Sequence, residues 1–546
     1  TISYILSKYF YRIGYYVYTV EDYQSRIRGG HNFSLIRVSE KPILGIDNPF
    51  IDILIALNNE TIELHKKEVK EEGYIICEEE IKVDFYPNIL KVPLRKIALE
   101  VAKSKIVENT VVCGVLLGLT NGDEVEMEKI ISEYFKPEDV DKNIKAMKAG
   151  YSFGIMSGKK CRDFPKKDKK TRIFLSGGEA IGFGAIVSGC KFLASYPMTP
   201  GTSVMNFLAE HELEYDIVVE QAEDEIAAIN MAIGGFFAGA RSMVTTSGGG
   251  FALMVEGLSL AGMTETPIVI HIGQRPGPAT GLPTRTEQAD LNFVIHAGHG
   301  EFPRYVTAPR DQKDAFYKTI KAFELSEKYQ IPAIILSDQH LIDSKAVIDE
   351  LSPSFEIQTY RIRGDKDYLR HKITEDGISP FAIPGESEGL VITDSDEHDE
   401  EGHLTEDLEI RKRMVEKRMK KLNSLYKEME EPIYYGVEDP EVVLVGWGST
   451  YGVIKEAVED LVHDGYKLGY LHFSDVYPLP TKNLQKFRDK KLYTIEQNYQ
   501  GQLAGLIRKE ACIKIDKFIT KYDGRPFYVE NIIKEVKEKW DELRRV

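Results

Sequence analysis

The sequence predicts an α/β protein built from three successive α/β segments, the middle one a doubly wound parallel sheet. Three observations carry that reading. Short apolar, β-branched runs alternate with helical stretches along most of the 546 residues. Two highly charged stretches divide the chain. Turns rich in glycine or proline follow several of the predicted strands, as they do where strands of a parallel sheet lead into helices. A length of 546 residues exceeds one ordinary domain, and a composition 42% hydrophobic and 29% charged allows a core of normal size.

The first segment, 1–155, opens with a helix and then a strand, followed by strands at 33–38, 51–57 and 74–77 and a helix at 94–101. It begins at Thr1 with no strand ahead of its first helix, so a truncated N-terminus is expected. Residues 156–172, which include KKCRDFPKKDKKTR, are expected to form a solvated linker. The second segment, 173–343, carries strands at 217–219, 242–245, 268–272 and 333–336 with helices between them. A connector, 344–432, holds the acidic run DSDEHDEEGH (394–403) and a charged helix over 406–430. Without regular metal-ligand spacing, that run is expected to be a solvent-facing loop, with no metal held by this chain. The third segment, 433–546, starts from the strand and Gly turn VVLVGWGST, has further strands at 467–472 and 492–496, and is expected to be a small separate α/β domain.

Bulk properties exclude several functions. A net charge of −16 argues against a surface for nucleic-acid phosphates. Cys77, Cys113, Cys161, Cys190 and Cys512 form no CxxC pair, so no iron–sulfur or zinc ligand set is readable. Scattered cysteines, the lack of a membrane-length apolar run and the lack of a signal-peptide pattern together predict a cytoplasmic chain without membrane contact.

Four motifs of the second segment carry chemistry. In SYPMTPGTSV (195–204), prolines flank Thr199 and hold the turn extended, and Thr202 or Ser203 is placed to cap the next helix. A hydroxyl beside a helix N-terminus suits a carboxylate ligand. QAEDEIAAINMAIGGFFAGA (221–240) has an acidic start and a small-residue body that something must approach closely. TTSGGGF (245–251) permits close backbone approach to a ligand at a strand–helix junction, and no GK[ST] follows it. QRPGPATGLPTRTEQAD (274–290) places Arg275 just past a strand end, where open α/β sheets bind ligands. Its guanidinium matches a carboxylate, and Arg285 competes for that role.

Taken in order, these motifs resemble the α subunits of 2-oxoacid:ferredoxin oxidoreductases. That family's YP-[IM]-TP turn, E-x-E-[IA]-A-A helix, TSGxG turn and GPxTGxPT-RTEQ loop correspond to 196–200, 223–228, 246–250 and 277–288. The stretch 25–39, SRIRGGHNFSLIRVS, is similar to the family's γ subunit. EGH at 401–403 is similar to the family's connector, and GST at 448–450 with EQNYQGQL at 496–503 to a transketolase C-terminal-like domain. The γ family's opening GxGGQG loop is absent, in line with a truncated start. The chain thus resembles a γ–α fusion over nearly its whole length.

The resemblance implies a γ-type α/β domain, a pyrimidine-binding domain of the thiamine-diphosphate fold and a transketolase-C-like domain. It implies oxidative decarboxylation of a 2-oxoacid to acyl-CoA with release of CO2 and reduction of ferredoxin, or the reverse carboxylation. A glutamate then contacts the aminopyrimidine of thiamine diphosphate. Intervals common in thiamine enzymes, to Gly234 nine positions on and Arg275 fifty positions on, favour Glu225, with Glu223 as runner-up. Thr246, Ser247 and Gly248 would line the cofactor, and Tyr196, Thr199, Thr202 and Arg275 the substrate. Mg2+ and a [4Fe–4S] cluster are implied on a separate β subunit, coenzyme A as co-substrate, and an (αβ)2 assembly as the active form. A 2-oxoglutarate or broad 2-oxoacid preference is favoured, with a pyruvate- or branched-chain-specific enzyme as the alternative. A non-catalytic subunit that docks coenzyme A or a partner is the alternative of another class.

Overall fold

The computed structural model describes residues 1–24, 29–45, 50–83, 86–167, 171–352 and 356–544, with side chains to 540. The chain forms two compact units: Thr1–Phe174 with Lys345–Glu350, and Leu175–Ser344 with Leu351–Val546. No helix among the described residues is long and apolar enough to cross a membrane.

In the first unit, helix Ile2–Arg12 precedes strand Tyr16–Asp22, which pairs antiparallel with Phe33–Ser39 and with Lys345–Asp349. Strands Ile51–Ala56, Val69–Glu78 and Ile89–Val92 form a second, parallel sheet. Helices Glu108–Leu119 and Pro137–Met156 pack backbone to backbone: a Cβ at Gly114 would lie 2.0 Å from the Met147 carbonyl, and one at Gly150 2.1 Å from that of Val111. The predicted elements at 33–38, 51–57, 74–77 and 94–101 are all present. Residues 25–28 of the γ-like stretch lie outside the described residues.

Two boundaries are corrected. Of the segment expected as a solvated linker, residues 157–167 form a largely exposed strap on this unit, and 168–170 lie outside the described residues. Lys167 N–H donates to Ile13 O at 2.8 Å, Cys161 N–H to Leu119 O at 2.9 Å, and the Phe164 ring packs edge-on against Phe10 and Tyr15. Its charges had masked an aromatic anchor. The start of the connector, in turn, is a strand that returns to this unit.

The second unit is built on a seven-stranded sheet in the order Asp475–Tyr477, Tyr305–Thr307, Pro332–Asp338, Ile268–Gln274, Ser242–Ser247, Phe192–Ser195, Val218–Gln221. All neighbours are parallel except the first pair. Every residue of Ile268–Gln274 and Pro332–Asp338 is buried, and both strands are largely apolar, as expected with both faces covered. A five-stranded sheet follows, ordered Ile433–Gly436, Leu468–Phe473, Val442–Trp447, Lys491–Glu496, Lys517–Thr520.

The third segment has its own five-stranded sheet but belongs to the same compact unit as the second. It lends the edge strand Asp475–Tyr477 to the larger sheet, and one apolar core runs from Ile270 and Ile334 through Val445, Trp447 and Leu471. Burying such side chains stabilises by roughly 1.5–3 kcal/mol each, so the two sheets gain from sharing a core.

Candidate functional site

The parallel strands end together at one edge, and all four sequence motifs lie there. Strand Phe192–Ser195 leads through Pro197 and Pro200 into helix Thr202–Glu210. Gly201 is required at this turn: a Cβ would meet Thr246 O at 2.8 Å and Thr245 Oγ1 at 2.9 Å. Thr245 Oγ1 donates to Gly201 O at 3.0 Å and lies 2.7 Å from His271 Nδ1, while His271 Nε2 lies 2.7 Å from Ser337 Oγ. A neutral imidazole donates to one of these two hydroxyls and accepts from the other. Burial holds this imidazole neutral, its pKa pushed down to about 3.

The expected cap does not form. Gly201, already helical at φ −57° and ψ −26°, is the N-cap, so the hydroxyls of Thr202 and Ser203 come too late; Ser203 turns to Asp343 instead. Thr199 contributes its carbonyl, which accepts from Arg275 Nη1 at 2.6 Å. Tyr196 is exposed on the same turn.

Asp224 caps helix Glu225–Phe237 by accepting from Ala227 N at 2.8 Å. Glu225 is therefore the first helical residue, 2% exposed. Glu223, the runner-up, stands ahead of the helix and is exposed. The Gly-rich turn serves Glu225: a Cβ at Gly250 would fall 2.6 Å from Glu225 Oε1 and 2.1 Å from Thr246 Oγ1. Ser247 is the N-cap of helix Gly248–Met263 but makes no side-chain cap bond. Glu225 Oε1, Thr246 Oγ1, Ser247 Oγ and Asp290 Oδ2 are all sealed from solvent without a hydrogen-bond partner. An orphaned buried polar atom costs about 1–3 kcal/mol, so such a concentration marks a pocket waiting for a polar ligand. Hydroxyls and a carboxylate in a glycine cradle fit an aminopyrimidine ring.

Arg275 directly follows strand Ile268–Gln274, half-buried, its guanidinium pKa lowered by burial against the opposing pull of Asp290. The loop beyond it is fastened to the third segment. Gln288 N–H donates to Gln497 O at 2.7 Å, Gln288 Nε2 to Trp447 O at 3.0 Å, and Thr286 N–H to Gly524 O at 3.2 Å. Arg285 lays its stem over Gly524, and the Thr199 contact belongs to Arg275. Burial pushes Asp290 up to about 6 against Arg275, and burial with Asp290 pushes Glu287 up to about 7. Sequence reasoning missed Asp290, Glu287, His271 and Gln274. Two carboxylates in a proline-rich loop were the available signal for the first two.

The acidic run 394–403 is only partly a solvent loop. His398 is fully buried, with Nδ1 on Asp396 O at 3.0 Å, and stacks on His371, which lies 3.2 Å from Glu265 Oε1. Glu265, His371 and His398 bring their ligating atoms within 4.8 Å of one another. Lys417 and Lys421, however, sit 2.5 Å from the two oxygens of Glu265. Burial alone would raise this carboxyl, but the two ammonium groups outweigh it and hold it well below its usual range. The cluster is an ion-pair bolt between the connector and the sheet.

With this geometry in place, the comparisons with known proteins are specific. Residues 183–417 match the family described as "Pyruvate flavodoxin/ferredoxin oxidoreductase, thiamine diP-bdg", residues 1–153 "Pyruvate ferredoxin/flavodoxin oxidoreductase", and residues 440–532 "Pyruvate:ferredoxin oxidoreductase core domain II". The chain is 34% identical to the 2-oxoacid:ferredoxin oxidoreductase subunit alpha of Sulfolobus sp, over 96% of this chain and 93% of the relative. It is 33% identical to the 2-oxoglutarate synthase subunit KorA of Archaeoglobus fulgidus, over 62% of this chain and 92% of the relative. Among solved structures, a 2-oxoglutarate:ferredoxin oxidoreductase from Magnetococcus marinus, with 2-oxoglutarate, coenzyme A and succinyl-CoA bound, superposes with a TM-score of 0.90 at 34% identity. That match covers 98% of this chain and 96% of the other.

Proposed function

This chain belongs to the 2-oxoacid:ferredoxin oxidoreductase family, as an α subunit with a fused γ-type domain, and from that premise we propose that its strand-end pocket is half of a thiamine-dependent active site. The observation that carries the reading is the group of buried, partnerless atoms on Glu225, Thr246 and Ser247 around the Gly248–Gly250 cradle.

Glu225 would face a ring nitrogen of the aminopyrimidine from the first turn of its helix. Burial at the first turn of a capped helix holds this carboxyl in place and away from water. Thr246 and Ser247 supply hydroxyls to the same ring. Thiamine diphosphate, when bound, supplies the carbon nucleophile for the 2-oxo group and the electron sink for loss of CO2. Arg275, braced on the Thr199 carbonyl, takes the substrate carboxylate through its remaining N–H groups. Tyr196 and Thr202 line the same turn, and Arg285 stands further along the loop. Of the two glutamates, Glu225 is favoured because Glu223 is solvated, and a solvated carboxylate exchanges its proton with water.

The other half of the pocket belongs to a β subunit carrying the diphosphate contacts, Mg2+ and a [4Fe–4S] cluster, with ferredoxin as acceptor, coenzyme A as acyl acceptor and (αβ)2 as the working assembly. Helix Glu225–Phe237 leaves Ile226 and Met231 exposed, helix Gly248–Met263 leaves Leu253 exposed, and a Cβ at Gly234 would meet nothing. An apolar face beside an incomplete polar pocket suits a tightly docked subunit. The substrate is 2-oxoglutarate or a broad range of 2-oxoacids, by likeness to the Magnetococcus and Archaeoglobus proteins.

The test is turnover of the complex reconstituted with its β subunit, supplied with coenzyme A and a dye acceptor, on 2-oxoglutarate and on pyruvate. Higher kcat/KM on 2-oxoglutarate is expected. Turnover of pyruvate alone overturns the substrate assignment.

A further inference from the structure

Asp290 packs on the Gly-rich turn, with Arg275 as its nearest opposing charge, and has no role in the scheme above. Its carboxylate packs on the first residue of helix Gly248–Met263, where a Cβ at Gly248 would lie 2.2 Å from Oδ2 and 2.8 Å from Oδ1. Oδ2 is sealed from solvent and without a partner, as is Ser247 Oγ at the same helix start. The residue is firmly held: its N–H donates to Gln274 Oε1 at 3.0 Å, and Gln274 Nε2 donates to Ser337 O at 3.2 Å.

The charges that face it come from three elements. Arg275 at the end of strand Ile268–Gln274 is its favourable partner, Glu287 on the loop opposes it, and Glu225 reaches the same Gly-rich turn from its helix. A 2-oxoacid bound at Arg275 brings another anion into this space. Two carboxylates facing one guanidinium in a water-poor pocket cannot both stay ionised cheaply, and the one that belongs to the protein can accept a proton in place.

We propose that Asp290 is a further substrate-binding residue, which takes up a proton as the 2-oxoacid enters and then donates a hydrogen bond from Oδ2 to a substrate oxygen. The proposal rests on Arg275 as the seat of the substrate carboxylate. Burial has already pushed the Asp290 carboxyl up to about 6, so the empty pocket holds it largely ionised near neutral pH and binding must draw in a proton. The bound state then holds more protons than the free state, and affinity falls as pH rises. KM is expected to climb about tenfold per pH unit above about 6, up to the pKa of the complex.

Calorimetry of the reconstituted complex with oxalylglycine, an unreactive 2-oxoglutarate analogue, in two buffers of different ionisation enthalpy reads the proton directly. Uptake approaching about one proton per site is expected near about pH 7. Asp290→Asn, with the same shape and a permanent donor, should bind without uptake and show a flat KM–pH profile, while Glu287→Gln retains the uptake. Heats independent of buffer in the wild type, or uptake abolished by Glu287→Gln rather than by Asp290→Asn, overturn the proposal. Should the Asn variant fail to assemble, infrared difference spectra of the wild type decide: a protonated-carboxyl band must appear on oxalylglycine binding, and its absence overturns the proposal. If oxalylglycine does not bind at all, the substrate assignment itself fails and takes the proposal with it. Binding without proton uptake removes the proposal alone.

Discussion

Glu225 and Glu265 are both carboxylates taken out of water, 2% and 1% exposed, in the same unit, yet their surroundings are opposite. Glu265 is crowded with opposing charge: Lys417 and Lys421 at 2.5 Å and His371 at 3.2 Å, its Oε2 meeting Lys421 as an ion pair without a hydrogen bond. Glu225 shares its cradle with hydroxyls that bond to nothing, and its Oε1 is itself without a partner. A buried charge that is fully paired holds a structure together, and removing one member leaves the rest unpaired. A buried polar group left without a partner weakens the fold and is kept for what it will bind. Burial alone therefore says little about a buried glutamate's role, and its partners say most.

Substitutions sharpen that contrast, beginning with the largest effect. Glu225→Gln in the reconstituted complex should lower kcat by about 10²–10⁴-fold while the thermal midpoint of the chain stays within a few degrees. Near-full activity would remove Glu225 from catalysis. Glu265→Gln should do the reverse. Two ammonium groups lose their buried counter-charge, at a cost of roughly 3–5 kcal/mol read from denaturant unfolding, while the protein that remains folded keeps its kcat. A loss below about 1 kcal/mol would mean that the bolt is not load-carrying.

Acid should act through the same groups. His271, neutral with its pKa near 3 in the fold, binds its proton more readily in the unfolded chain, where the ordinary value is 6.5. Stability then falls as pH drops below about 6.5, by about 1.4 kcal/mol per pH unit from this residue alone. His371, also held low by burial, pulls the same way, and Glu265 adds to the loss once pH falls below about 4.5. Unfolding midpoints that stay flat between about pH 7 and 5 would contradict a neutral, buried His271. The smallest effect belongs to Glu223→Gln. Because that side chain is solvated, kcat should stay within about twofold of wild type, and a larger fall would reinstate it as the competitor of Glu225.

Much of the fold was legible because local pattern and burial coincide. Ile268–Gln274 and Pro332–Asp338 are largely apolar strands covered on both faces, so they could be placed within a few residues. The four motifs could be placed at strand ends for the same reason. What escaped were features that depend on distant partners. The strap at 157–167 looked solvated because its lysines outnumber Phe164, yet that one ring is what anchors it on Phe10 and Tyr15. Thr202 and Ser203 have the chemistry of caps, but the helix begins at a register where Gly201 takes that place. His398 sits in an acidic run whose composition says solvent, and only the fold brings His371 and Glu265 to it.

By itself the sequence determined the α/β class, the order of the motifs, the family and the placement of Arg275 at a strand end. Each of these follows from local periodicity or from residues adjacent along the chain. Tertiary structure decided the rest: that Glu225 rather than Glu223 is buried, that Asp475–Tyr477 completes the larger sheet, and that Arg275 rests on the Thr199 carbonyl. It also decided that the Asp290 carboxylate packs on Gly248. The physical reason is common to all four. Burial, pairing and pKa are set by atoms brought together from distant parts of the chain, and no local pattern encodes which atoms those will be.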